Sequence, residues 1–170
     1  FILRRTKAEV LDELPEKTEI TRLVELSDLE ITAYETMRLK IKSELEKEKN
    51  MSVNALAYIM RLRQAACAMA LVDKKWKDKS SKLQAFVDLL TEILSGGNRV
   101  LVFSQFTSFL ALAKQELEAA GIPYFYLDGS TPLRQRDKMV KEFQKGEKGV
   151  FVVSLKAGGL GLNLTSANYV

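Results

Sequence analysis

The chain contains no histidine. That absence removes imidazole acid–base chemistry and most zinc sites, because histidine is the side chain that titrates near neutrality and the commonest metal ligand. A single cysteine, Cys67, allows no internal disulfide, and its helical surroundings assign it to packing. Only three prolines and nine glycines punctuate 170 residues, with no internal repeat and no low-complexity stretch. No apolar run has the length of a membrane span and the N-terminus is not signal-like, so no membrane partner and an intracellular location are expected. Charge of one sign is also scarce: 26 basic and 22 acidic residues leave a net charge of +4, spread over both halves. Any contact with nucleic acid must then depend on local placement rather than bulk charge. No G-x-x-x-x-G-K-S/T loop occurs, so the chain cannot hold a triphosphate in the P-loop manner. The acidic pair Asp12-Glu13 lies in a polar stretch rather than at a buried strand's end and reads as surface. Nothing resembles paired catalytic carboxylates or a nucleophile with its base.

What is present is enough for a core: 46% of residues are hydrophobic and 28% charged, as in one soluble domain with a small appendage. The start at Phe1, without methionine, suggests a piece of a longer chain. Leu14-Pro15 closes the first segment, and Ile20 to Leu26 follows as a short strand with loose alternation. Ser27 and Glu30 make a capping box, behind which Ile31, Tyr34, Met37, Ile41 and Leu45 fall at helical spacing. A second helix is expected over about Ser52 to Leu71, running through Ala65-Ala66-Cys67-Ala68-Met69. Lys74, Lys75, Lys77 and Lys79 then surround Trp76. This is either an exposed loop whose tryptophan covers a helix end or a basic and aromatic contact with nucleic acid. Ser80 or Ser81 caps a helix striped by Leu83, Phe86, Val87, Leu90 and Leu94, and Gly96-Gly97 stops it.

From there strands and helices alternate. Arg99 to Phe103, Tyr124 to Leu127 and Gly149 to Val153 read as strands, and Asn168-Tyr169-Val170 as the start of a fourth. Helices lie between them, the second with Thr131 as N-cap and Pro132 at its first position. Such alternation predicts an α/β fold: a parallel sheet with right-handed crossovers, behind a helical lead-in. The boundaries that follow are a connecting segment over 1–20, a lead-in with an edge strand over 21–79, and the α/β lobe over 80–170.

In a parallel sheet the strands' carboxyl ends share one edge, where open α/β sheets bind ligands. Here those ends read Ser104-Gln105, Asp128-Gly129-Ser130-Thr131 and Ser154-Leu155-Lys156-Ala157-Gly158. Hydroxyls, an amide, an ammonium and helix N–H groups in a row suit phosphates, and such groups make the positioning contacts to a nucleic-acid backbone. Gly158, Gly159 and Gly161 are expected to leave bare backbone, free to take positive φ and to let a ligand approach. The same run superficially resembles a dinucleotide fingerprint, but Leu164 stands where its third glycine belongs.

In order and spacing, these motifs resemble the second RecA-like lobe of Swi/Snf-family DNA-dependent ATPases, relatives of the superfamily-two helicases. Phe1 to Lys7 with Leu14 to Thr18 is similar to the segment joining the family's two lobes. Arg61-Leu62-Arg63-Gln64 is similar to its L-R-Q signature, and Ser81-Lys82-Leu83 to the S-x-K-L start. Val100 to Phe106 resembles motif IV, Leu127 to Thr131 the L-D-G-S-T motif, and Ser154 to Leu164 motif V. The resemblance implies a motor whose two lobes close over ATP and magnesium, held mainly by the first lobe, and ratchet along duplex DNA. It implies that Ser104, Gln105, Ser130, Thr131, Ser154, Lys156 and Gly158 touch the DNA backbone, and that Gly159, Gly161 and Asn163 face the nucleotide. The arginine-finger motif would lie past Val170 and the P-loop in the first lobe, so this chain by itself is expected not to hydrolyse ATP. Its location would be cytoplasmic or nucleoid in a bacterium and nuclear in a eukaryote. The competing reading is a non-enzymatic α/β interaction module that keeps the fold without the motor.

Overall fold

A computed structural model of the chain describes residues 18–47, 51–146, 149–159 and 162–170. The connecting motif within 1–17, the acidic pair Asp12-Glu13 and the loop residue Gly161 lie outside the described residues.

The lobe is built on strands β1 (Val100–Ser104), β2 (Tyr124–Leu127) and β3 (Val150–Ser154), ordered β1-β3-β2 and all parallel. Central β3 has Val150, Phe151, Val152 and Val153 at 0% exposure, because a strand covered on both faces needs apolar side chains without alternation. Successive side chains serve opposite layers. Phe151 and Val153 join Leu101, Phe125, Leu127 and Phe143 on one face, whereas Val150 and Val152 join Leu90, Val100, Leu110 and Leu117 on the other. Helices α3 (Ser81–Ser95) and α4 (Thr107–Ala119) supply the second layer; α5 (Leu133–Lys145) and the one-turn α6 (Leu155–Gly158) cover the first. Phe125, Phe143 and Phe151 meet at ring separations of 5.3 to 6.5 Å, two of the three pairs edge to face. The expected fourth strand amounts to one parallel bridge, Val100 with Tyr169, on the outer side of β1.

The lead-in is a pair of packed helices, α1 (Asp28–Lys47) and α2 (Met51–Cys67), which end on a short 3₁₀ turn, Met69–Leu71. Ala68, Leu83, Phe106, Phe109 and Ala113 form a third cluster that seats it on the lobe. A polar knot adds to this seat. Glu30 is 3% exposed; its carboxylate accepts from Ser27 N–H (3.0 Å) and Ser27 Oγ (3.1 Å), closing the predicted capping box. The same carboxylate accepts from the N–H (3.2 Å) and the hydroxyl of Ser81, so it also satisfies the first turn of α3. Burial pushes the Glu30 carboxyl up, but the hydrogen bonds from Ser81 and Ser27 outweigh it and hold the group below its usual value.

Three local expectations are corrected. Ile20 to Leu26 is not a strand: Ile20 and Leu23 are 85% and 89% exposed, and no neighbouring strand offers them a ladder among the described residues. The second helix stops at Cys67, where Ala68 turns extended (φ −166°, ψ 132°) and drops into the third cluster. Ser80 Oγ accepts from Leu83 N–H as the α3 cap while donating to the Cys67 carbonyl at 3.3 Å, which ties that break to the next helix start. Lastly, Thr131 does not cap α5; Pro132 holds the N-cap position with no side-chain bond.

Candidate functional site

Parallel register brings the three polar tips together. Ser104 pairs with Ser154 and Leu127 with Val153, so the residues just beyond them share the carboxyl edge of the sheet. The first tip is braced from the lead-in. Gln105 is exposed, and its Oε1 accepts from Arg63 Nη2 at 2.9 Å. The Arg63 guanidinium lies 5.8 Å from the centre of the Phe106 ring. Half-buried Ser104 accepts from Phe106 N–H at 3.2 Å, fixing the turn into α4.

Asp128 organises the second tip. Its Oδ1 accepts from Ser130 N–H (2.9 Å), Ser130 Oγ (2.6 Å) and Thr131 Oγ1 (3.4 Å), while Oδ2 accepts from Tyr126 OH (3.0 Å). The hydrogen bond from the Ser130 hydroxyl is the largest cause of a carboxyl held below its usual range, against a smaller opposing effect of burial. Burial and this carboxylate push Tyr126 up to about 12. Thr131 Oγ1 in turn accepts from Asp128 N–H at 3.1 Å, which is why its hydroxyl is not spent on capping α5. Beneath the turn, Arg136 is 8% exposed and donates to the carbonyls of Thr131 (2.8 Å), Asp128 (3.1 Å) and Gly129 (3.4 Å). Three carbonyls are thereby turned inward onto one cation.

At the third tip the expected loop is a helical turn. Ser154 is 3% exposed and accepts from Ala157 N–H as the cap of α6, so it supports the edge from below. Lys156 is exposed and has no hydrogen bond or ion pair among the described residues. Gly158 and Gly159 do not use left-handed backbone: Gly159 has φ −67°, and among the described residues positive φ is confined to Gly97, Gly121 and Gly146. Gly158 is instead closely packed, since a Cβ there would stand 2.8 Å from Phe103 Cε1 and the ring would have to shift. Gly158 and Asn163 meet in a cleft of about 330 Å³ with Leu101, Phe103, Leu162, Leu164 and Thr165. The far wall is held by Gln144 of α5. Its Nε2 donates to the Asn163 carbonyl (2.9 Å) and to Thr165 Oγ1 (3.2 Å), and its Oε1 accepts from Ser166 N–H (3.0 Å). A roomier groove of about 520 Å³ follows β2, lined by Lys114, Tyr124, Tyr126 and Met139 among others, and holds none of the sequence-derived candidates.

Trp76 is half-buried with its indole N–H enclosed and without a partner among the described residues, so the ring is set into the protein while the four lysines beside it are exposed. Asp128, Arg136 and Gln144 escaped the sequence reading as site-builders. The signal for Arg136 was its place on the Leu133–Val140–Phe143 stripe, where a cation on a buried face demands acceptors.

Comparison with known proteins adds to this geometry. Residues 81–170 match the model of the helicase conserved C-terminal domain, and residues 1–71 that of the SNF2-related domain. The whole chain aligns with Chromodomain-helicase-DNA-binding protein 1-like of Danio rerio at 33% identity over 18% of that protein. It also aligns with the putative ATP-dependent helicase/translocase YwqA of Bacillus subtilis at 36% identity over 20% of that protein. The chain thus spans about a fifth of the curated relatives it matches. Among solved structures, a Sulfolobus solfataricus SWI2/SNF2 ATPase core in complex with dsDNA superposes with TM-score 0.79 at 24% identity, covering 99% of this chain and 37% of that one. The C-terminal domain of a SWI2/SNF2 ATPase from the same organism gives 0.75 at 24%, over 85% of this chain and 66% of that one. At that identity the superpositions establish the RecA-like fold of such domains. Ordered motifs, fold and matched models agree, and the chain belongs to the SNF2-related helicase family, its residues 81–170 forming a helicase conserved C-terminal domain.

Proposed function

We propose that this chain is the second lobe of an ATP-dependent DNA translocase, gripping the backbone of duplex DNA with its polar edge and closing over ATP held by a first lobe. The observation that carries this reading is the convergence of three strand tips in register, with Gln105, Ser130, Thr131 and Lys156 beyond them. Spaced polar groups on a stiff sheet can follow successive phosphates, and the two curated relatives named above are called helicases, one of them a helicase/translocase. Buried Ser154 acts by capping α6, which presents Lys156. Asn163 lines the cleft that would face the nucleotide, beside Gly158 of the DNA-facing edge, and Gly159 and Gly161 are assigned to the nucleotide side from the motif.

Leucines, Phe103, one glycine, one threonine and one amide line this cleft, a mixed surface suited to a face that closes against a nucleotide held elsewhere. The family resemblance assigns the magnesium ligands to the first lobe. Hydrolysis of bound ATP would supply the free energy for moving the lobes; this chain's part is to hold DNA through each cycle. In the intact protein, Lys156→Ala is expected to weaken binding to duplex DNA. It should also make the plot of log Kobs against log salt shallower by about 0.9, the loss of one phosphate contact. An unchanged slope would show Lys156 to be merely solvated and remove the strongest cation from the edge.

A further inference from the structure

Arg63 belongs to the lead-in helix α2, yet its side chain ends on the lobe. Nη2 donates to Gln105 Oε1 at 2.9 Å, Nη1 lies 4.0 Å from Met60 Sδ, and the guanidinium carbon is 5.8 Å from the centre of the buried Phe106 ring. A guanidinium can only donate, so the atom of Gln105 that faces it must be the amide oxygen. The amide nitrogen is thereby directed away from Arg63, and it has no partner among the described residues. A free glutamine amide on a surface can present either end to an anion; only the NH₂ end can donate to a phosphate oxygen. Arginine is the residue suited to this fixing role, since its planar fork stacks on an aromatic face while donating in a set direction. The amino acids of the lobe alone leave that choice open.

We infer that Arg63 is a positioning residue of the DNA-facing edge: it locks the Gln105 amide with Nε2 outward, so that the lead-in helix sets the polarity of the first strand tip. This rests on the reading of the edge as a phosphate-backbone grip and adds to it a residue that acts through another. Charge and orientation are separable here. Charge acts at a distance and survives replacement by lysine, whereas orientation needs the fork, the ring and the amide together.

The test is a double-mutant cycle in the intact protein, reading the Kd for a duplex oligonucleotide over a salt series and the unfolding midpoint of each variant. Arg63→Ala and Gln105→Ala should each weaken binding about three- to tenfold, the worth of one hydrogen bond, and the double variant should lose no more than the larger single loss. Arg63→Lys should keep the salt slope but regain only part of the affinity. Multiplying losses in the double variant, full recovery in Arg63→Lys, or loss of affinity that merely follows the unfolding midpoint would each overturn the positioning role. Lys156→Ala separates the two levels. If it weakens binding while the cycle is additive, only the role of Arg63 fails; if neither Lys156→Ala nor the cycle moves DNA affinity, the grip itself fails and Arg63 with it.

Discussion

Gly146 shows how one residue ends α5. Its φ of +88° is left-handed backbone, costing a residue with a Cβ about 1–2 kcal/mol, and a Cβ there would stand 2.5 Å from Arg99 Nη2. That arginine donates to the carbonyls of Phe143 (3.1 Å) and Gln144 (3.3 Å), a cation at the negative end of α5. Gly146→Ala is therefore expected to destabilise the chain by about 1–2 kcal/mol from backbone conformation, with a further loss if Arg99 is displaced. Chemical denaturation measures it. A change below a few tenths would mean that the backbone relaxes out of the left-handed region and that Arg99 gives way freely. Arg136 teaches the same lesson at the second tip, where a buried cation turns three carbonyls inward.

At the scale of elements, the Glu30 knot joins two helix starts 51 residues apart in sequence, and it makes a pH-dependent joint. The folded carboxyl titrates below its unfolded value of about 4.3, so the unfolded chain takes up the proton first. The stabilisation is then complete above that pH and fades as pH falls through the folded value. Glu30→Ala, which strips N–H acceptors from two first turns, is expected to cost about 1–2 kcal/mol near neutrality. Glu30→Gln can still accept and should flatten the acid limb of the stability curve. Hydrogen exchange over residues 28–47 as a function of pH reads the joint directly; identical acid limbs for Gln and Glu would dissolve it. The capping box itself was legible, since Ser27 and Glu30 stand three apart before an apolar stripe. Its second use was not, because nothing local in a sequence points from Glu30 to Ser81. The same limit explains Ile20 to Leu26 and Ala68. Strand propensity is empty without a partner strand, and an alanine that favours helix turns extended when a buried niche under Phe106 and Phe109 accepts it.

For the molecule as a whole, the parallel sheet and the shared edge were readable because period, punctuation and connection rules all agree along β1, β2 and β3. What the sequence concealed was that the edge is assembled from both halves. The lead-in contributes Arg63 to the first tip and docks through the third cluster, so the edge and the helical arm are packed together. The proposed grip is not by itself a motor, however. The 170 residues carry no P-loop, and in the proposed division of labour a first lobe cradles the triphosphate. The purified chain is therefore expected to bind duplex DNA weakly, with affinity falling steeply between about 50 and 200 mM salt. Steady-state phosphate release, measured with and without duplex DNA, should stay at background. Turnover from this chain that duplex DNA stimulates would mean that its cleft alone completes an ATP site, and the division of labour between two lobes would have to be abandoned.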